Sequence, residues 1–153
     1  MQLSPFLQCK TDRIFVEWSN GLDPDDSVYR LHPAIYIITL TAAFLYFKVI
    51  GEPAVLTCLL RTRSEQRRIY PNQPNRRSTH EFGRAFDMRV HGMTLKQRQA
   101  WQDKLNAIFP YSSTRVGCAT ALIHEVGDHG SHLHAQVGPL EIAPDLQTSI
   151  ITV

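Results

Sequence analysis

An α+β domain, in which helices pack on one face of a small antiparallel sheet, is the fold class this sequence predicts. Three observations carry the prediction. A long apolar run at 34–50 ends at a glycine, an amphipathic run from Leu95 ends at Pro110, and four short apolar or alternating runs lie between and after them. The chain has 153 residues, 43% hydrophobic and 20% charged, which suits one soluble globular domain with a sizeable core, so a single domain over 1–153 is expected.

The segment Ala34 to Ile50 predicts the first helix. Pro33 suits its first turn, and Gly51 with Pro53 stops its far end. Its uninterrupted apolar part is about 14 residues, carries Thr39 and Thr41 and stops at Lys48, short of the roughly 20 needed to cross a bilayer. A buried core helix is therefore expected rather than a membrane span. Ala54 to Leu60, with β-branched Val55 and Thr57, reads as a buried strand, and Ser64 to Tyr70 as a short helix. Pro71-Asn72-Gln73-Pro74-Asn75 is dense in turn formers and predicts a loop, after which Ala85 to Val90 reads as a strand. Thr94 suits the cap of a helix from Leu95 to about Phe109, because Leu95, Arg98, Trp101, Leu105 and Ile108 recur at spacings of three and four. Ala119 to Val126 and Ser131 to Val137 complete the set as two strands joined by a hairpin turn at Gly127-Asp128-His129-Gly130.

Sixteen basic against fourteen acidic residues leave a formal charge of +2, too little to argue for a nucleic-acid partner. Arginines nonetheless crowd one region, at 61, 63, 67, 68, 76, 77 and 84. They form either a solvated helix and loop or a surface for an anionic substrate such as a carboxylate-bearing polymer. Cys9, Cys58 and Cys118 are odd in number and lack C-x-x-C spacing, which indicates neither a disulfide framework nor a cysteine zinc site and fits a reducing cytosol. The start, Met1-Gln2-Leu3-Ser4-Pro5, has no basic segment followed by an apolar one, so no cleavable export signal is expected.

Two compact groups carry the chemistry: the stretch Ser78 to Asp87, with His80 and Asp87, and the run His129-Gly130-Ser131-His132-Leu133-His134. Together they supply the raw material of a three-ligand zinc site with one position open to water, set in a cleft beside the sheet. On a strand, residues two apart share a face, so His132 and His134 project together while Leu133 points the other way. Gly83 lets the chain fold back tightly, so that one turn-and-strand unit delivers both His80 and Asp87. Imidazole nitrogen suits zinc, whereas calcium and magnesium prefer all-oxygen shells. Each pattern alone is also found among ordinary polar residues. Their joint presence in one small domain points to a single Zn²⁺ and to hydrolysis of an amide.

The stretch Ser78-x-His80-x-x-Gly83-x-Ala85-x-Asp87 resembles the S-x-H-x-x-G-x-A-x-D signature of zinc peptidases that cut bacterial cell-wall peptides. That family includes D-alanyl-D-alanine carboxypeptidases and dipeptidases, phage L-alanyl-D-glutamate endolysins and the related penicillin-insensitive murein endopeptidases. The resemblance implies that His80 and Asp87 are metal ligands. Val55 to Gln66 is similar to the family's strand and R-[ST]-x-x-E-Q-like turn, which implies that Arg61, with Arg63 as alternate, stabilises negative charge on the substrate. His132 to Val137 resembles the closing strand, with His134 as third ligand. The likeness covers roughly Pro33 to Gly138, and neither the first 30 residues nor the tail after Pro139 matches.

One departure bears on mechanism. Many members carry a carboxylate general base three residues before the last ligand, where this chain has Ser131. The murein endopeptidase branch closes instead with H-x-x-H-x-H, a spacing that His129, His132 and His134 reproduce. By that resemblance His132 takes the proton or supports the oxyanion, and His129 assists. Glu125 and Asp128 are reserve candidates for the base, and His91 and His124 are bystanders. The reading that follows is a zinc peptidase acting on peptidoglycan stem peptides or cross-links, made without an export signal, as a phage-type lysin, part of a virion or a cytosolic recycling enzyme. Two other readings use the same residues: a non-catalytic zinc-stabilised module that binds cell wall or a protein, and nucleic-acid binding through the arginine segment.

Overall fold

Local signals fix most element ends. The computed structural model describes residues 1–20, 31–111, 118–125 and 130–138. In chain order its elements are β1 (Gln2–Ser4), β2 (Leu7–Cys9), α1 (Asp12–Asn20), α2 (Pro33–Ile50), β3 (Ala54–Cys58), α3 (Arg63–Ile69), a 3₁₀ turn (Thr79–Phe82), β4 (Ala85–Arg89), α4 (Leu95–Ile108), β5 (Ala121–Glu125) and β6 (Ser131–Gln136). Pro33 opens α2, and Gly51 closes it with φ 82°, its N–H reaching the Phe47 carbonyl at 2.8 Å. Reciprocal capping boxes start three elements: Thr62 with Glu65, Ser78 with Glu81, and Thr94 with Gln97.

The strands form one mostly antiparallel sheet in the order β1-β2-β3-β4-β6-β5, with β2 and β3 its one parallel pair. Register decides which side chains share a face. Leu56 of β3 pairs with Met88 of β4, which pairs with Leu133 of β6, and Phe86 pairs with Ala135. All five are fully buried, and α2 covers that face with Ile35, Ile38, Ala42 and Tyr46. α4 packs beside α2, where Trp101 Nε1–H donates to the Ala42 carbonyl at 3.1 Å. The amides of Gln102 and Asn106 bond the backbone of β5 at Ile123 and Ala121, which satisfies the outer edge of that strand. Asp87, His132 and His134 alternate with the buried residues and therefore point to the opposite face.

The structure departs from the sequence pattern in several places. Residues 1–20, to which the pattern assigns no element, form β1, β2 and α1. The strand expected over 54–60 ends at Cys58, because the Leu59 carbonyl turns to His80 and the Leu60 N–H turns to the Glu17 carboxylate. Between Leu56 and Cys58 the register slips by one: Leu56 pairs with Met88, but Cys58 pairs with Asp87. Strict alternation would put Cys58 on the helix-covered face, and this bulge aims it at Asp87 instead. In α4 only Trp101 and Leu105 of the predicted stripe are buried; Leu95 is 81% exposed. α2 buries one face and leaves Ile37, Leu40 and Phe44 on the other, and as an 18-residue helix it is long and apolar enough to cross a membrane by length and composition alone. Val126, the expected end of one strand, and residues 127–129 of the predicted hairpin turn lie outside the described residues.

Candidate metal centre

Each fixed position of the Ser78-to-Asp87 stretch has a structural duty. The Ser78 hydroxyl accepts the His80 N–H at 3.3 Å, and the Glu81 carboxylate accepts the Ser78 N–H at 2.9 Å. Gly83 follows with φ 62°, a left-handed conformation that glycine adopts without strain and that returns its N–H to the His80 carbonyl. Ala85 enters the sheet with no exposed surface, and Asp87 then faces the cleft.

One oxygen organises the site. Asp87 Oδ1 lies 3.2 Å from His80 Nε2, 2.9 Å from His134 Nδ1 and 3.7 Å from His132 Nε2. The other nitrogen of each imidazole faces an acceptor: the Leu59 carbonyl at 3.0 Å for His80, Gln136 Oε1 at 3.4 Å for His134, and the Gly130 carbonyl at 3.3 Å for His132. Gln136 donates its amide N–H to the Ala119 carbonyl, so its oxygen is the atom turned to His134. Carbonyl oxygens only accept, so the outer nitrogens carry protons, while the inner nitrogens turn to the carboxylate, to which an imidazolium donates and beside which a neutral imidazole offers a lone pair to a cation. Imidazole nitrogens gathered on one carboxylate are donor types that could hold a metal ion.

The titration behaviour has the same origin. Burial pulls the His80 pKa down, but the Asp87 carboxylate and then Cys58 outweigh it and raise the value above that of an ordinary histidine. Burial likewise raises Asp87, yet His80 and His134 hold it well below the usual carboxylate range. Two donors each about 2.1 Å from a tetrahedral ion lie about 3.4 Å apart. The separations of 3.2 and 2.9 Å are close to that spacing. Donor atoms of Cys58, His80 and Asp87 also lie within 4.8 Å of one another, so this group can hold a metal ion.

Arg61 completes the centre. Its Nη2 is 3.4 Å from Asp87 Oδ2 and 3.6 Å from Cys58 Sγ, while Nη1 donates to Gln66 Oε1 at 3.1 Å. Gln66 is buried on α3 and fixes the guanidinium. The centre opens into a cleft of about 820 Å³ whose wall includes Arg68, Arg76, Arg77 and Arg89. Part of the arginine-rich segment therefore faces the site.

The structure brings together His80, Asp87, His134, His132 and Arg61. Arg63, the alternate to Arg61, instead donates to the carbonyls of Pro74 and Arg76 and pairs with Glu81, so it braces the loop. Glu125 accepts the Ser131 hydroxyl at 2.9 Å and is not part of the cleft wall. His129 and Asp128 lie outside the described residues. His91 is an exposed loop residue, but His124, set aside on sequence, stands opposite His132 with ring centroids 4.7 Å apart. Burial and the neighbouring His132 and His134 lower its pKa, and its Nε2 is buried with no hydrogen-bond partner among the described residues. The expected hairpin of the last two strands held the signal that could have found it, since it brings His124 and His132 onto paired strands. No spacing signal marks Cys58, whose aim depends on the bulge. Comparisons with protein-family models, with curated proteins and with solved structures return no match.

Proposed function

We propose that this chain is a zinc-dependent peptidase that hydrolyses peptide bonds in the stem peptides or cross-links of bacterial peptidoglycan. The single observation that carries the reading is the convergence of imidazole nitrogens from His80 and His134 on the Asp87 carboxylate. The resemblance of Ser78 to Asp87 to a cell-wall zinc-peptidase signature supplies the substrate class. His80, Asp87 and His134 hold the ion, and when bound it supplies Lewis-acid polarisation of a carbonyl and acidification of a water.

The remaining roles belong to the chain's own groups. The Gly130 carbonyl keeps the His132 proton on Nδ1, which leaves Nε2 free to take a proton from the attacking water and deliver it to the departing amine nitrogen. Arg61, fixed by Gln66, offers N–H donors to the oxyanion of the tetrahedral intermediate. Arg68, Arg76 and Arg89 on the cleft wall attract the carboxylates of a stem peptide. Such an activity suits a phage lysin, a wall-cutting part of a virion or a recycling enzyme.

The test is digestion of purified peptidoglycan by the zinc-loaded protein, with fragment masses as readout, beside a chelated sample and a His134→Ala variant. Fragments that vanish in both controls support the peptidase and identify the bond. A second reading, a non-catalytic zinc-stabilised binding module, is favoured by the pairing of Glu17 and Glu65, carboxylates of the cleft wall, with Arg13. Tight zinc binding without new fragments from polymer or soluble stem peptides would select the module.

A further inference from the structure

We propose that the Cys58 thiolate is a fourth protein donor to this centre, occupying the position that a reacting water needs, so that the resting site is closed and opens when sulfur is displaced. The inference rests on the metal-hydrolase reading and deepens it. Three independent features support it. The β3 bulge turns Cys58 away from the helix-covered face and pairs it with Asp87. Its sulfur lies within 4.8 Å of a His80 ring nitrogen and an Asp87 oxygen, 3.7 Å from His80 Nδ1 and 3.6 Å from the Arg61 Nη2 cation, so binding one ion with Nε2 takes a turn of the ring or of the thiol. His134 lies outside that group of three but has Nδ1 2.9 Å from Asp87 Oδ1, and its addition would bring the count to two nitrogens, one oxygen and one sulfur, the four donors a tetrahedral ion takes, with none left for water.

The remaining thiols are differently placed. Cys9 is buried, and Cys118 is exposed and not part of the cleft wall. Cys58 is half-buried and lines the cleft, so small reagents reach it. On binding the ion, the thiol releases its proton to solvent and its sulfur lone pair forms the metal bond. Alkylation by iodoacetamide forms a carbon–sulfur bond, expels iodide and leaves a thioether, a poorer ligand, in place of the thiolate. A sulfur donor also biases the site toward zinc and cobalt over magnesium and manganese.

The experiment uses the full chain with Cys118→Ser as parent, loaded with Co²⁺ for spectroscopy and Zn²⁺ for hydrolysis. The parent is expected to show visible ligand-field bands of a four-coordinate ion plus a near-ultraviolet sulfur-to-cobalt charge-transfer band, and cobalt is expected to protect Cys58 from iodoacetamide. Adding Cys58→Ser should abolish the charge-transfer band, keep one bound cobalt, and raise peptidoglycan hydrolysis severalfold in the zinc form. Cobalt bound without the charge-transfer band in the parent overturns the proposal while the metal centre stands. No cobalt bound by the parent sinks the metal reading itself. Loss of the band with hydrolysis unchanged or slower overturns the gating role. The band and the alkylation protection are read on the parent, so a variant that misfolds leaves them decisive.

Discussion

Asp87 carries two loads on one carboxylate: Oδ1 collects the imidazoles of His80, His134 and His132, and Oδ2 faces Arg61. Arg61 is thus oriented by Asp87 and Gln66 while its charge stays at the cleft. Replacing it separates charge stabilisation from metal holding. Arg61→Ala is expected to keep the bound ion, read by metal analysis after dialysis, and to lower kcat/KM for a soluble stem peptide by about 10²–10³-fold, the cost of losing one oxyanion donor. Equal loss of metal and rate would make Arg61 a structural partner of Asp87 only. The residues legible in the sequence were those whose aim follows from strand alternation or a glycine turn: His80, Asp87, His132 and His134. Cys58 and His124 were not, because one depends on a bulge and the other on the register of β5 against β6.

Among the elements, α1 and α3 are tied across the cleft rim by Arg13, which binds the carboxylates of both Glu17 and Glu65. The Arg13 hydrogen bond, with those from Thr62, lowers the Glu65 pKa from 4.5 to about 2. Because the folded-state value lies below the unfolded one, the stabilisation is complete above pH 4.5 and disappears as pH falls toward 2. Glu65→Gln preserves a capping side chain and removes the charge. It is expected to cost about 1 kcal/mol at pH 7, a figure reduced for the half-exposed Arg13, with the difference from wild type fading between pH 4.5 and 2 in urea titrations. A gap that stays constant down to pH 2 would assign the effect to capping. Helix ends were the most readable level of structure, since Gly51 and Thr94 act through their nearest neighbours. β1 and β2 were not, since three residues are too few to display a period and β2 joins the sheet through the distant β3.

Over the whole molecule, α2 is the spine of the core, and its sequence is apolar on both faces. That uniformity hides its orientation, because a helix apolar all round has no periodic stripe to read. The structure resolves it: Ile38 is 3% exposed and Ile37 is 60% exposed. Ile38→Asp is expected to cost more than about 4 kcal/mol by burying an unpaired charge, whereas Ile37→Asp should stay within about 0.5 kcal/mol. Chemical denaturation of the two variants measures both, and equal losses would mean that a partner or a membrane covers the outer face.

The proposed donors come from four separate elements: Cys58 at the end of β3, His80 in the 3₁₀ turn, Asp87 on β4 and His134 on β6. An ion held among them is a cross-link made after synthesis and undone without cutting a covalent bond. It joins the last strand to the middle of the chain, and by mass action contributes about 2.7 kcal/mol when free ion is at 100 times its Kd. With such an ion, resistance to heat and to proteases would rise and fall with the free-metal level of the surroundings, and a chelator would act on this molecule as a reductant acts on a disulfide protein.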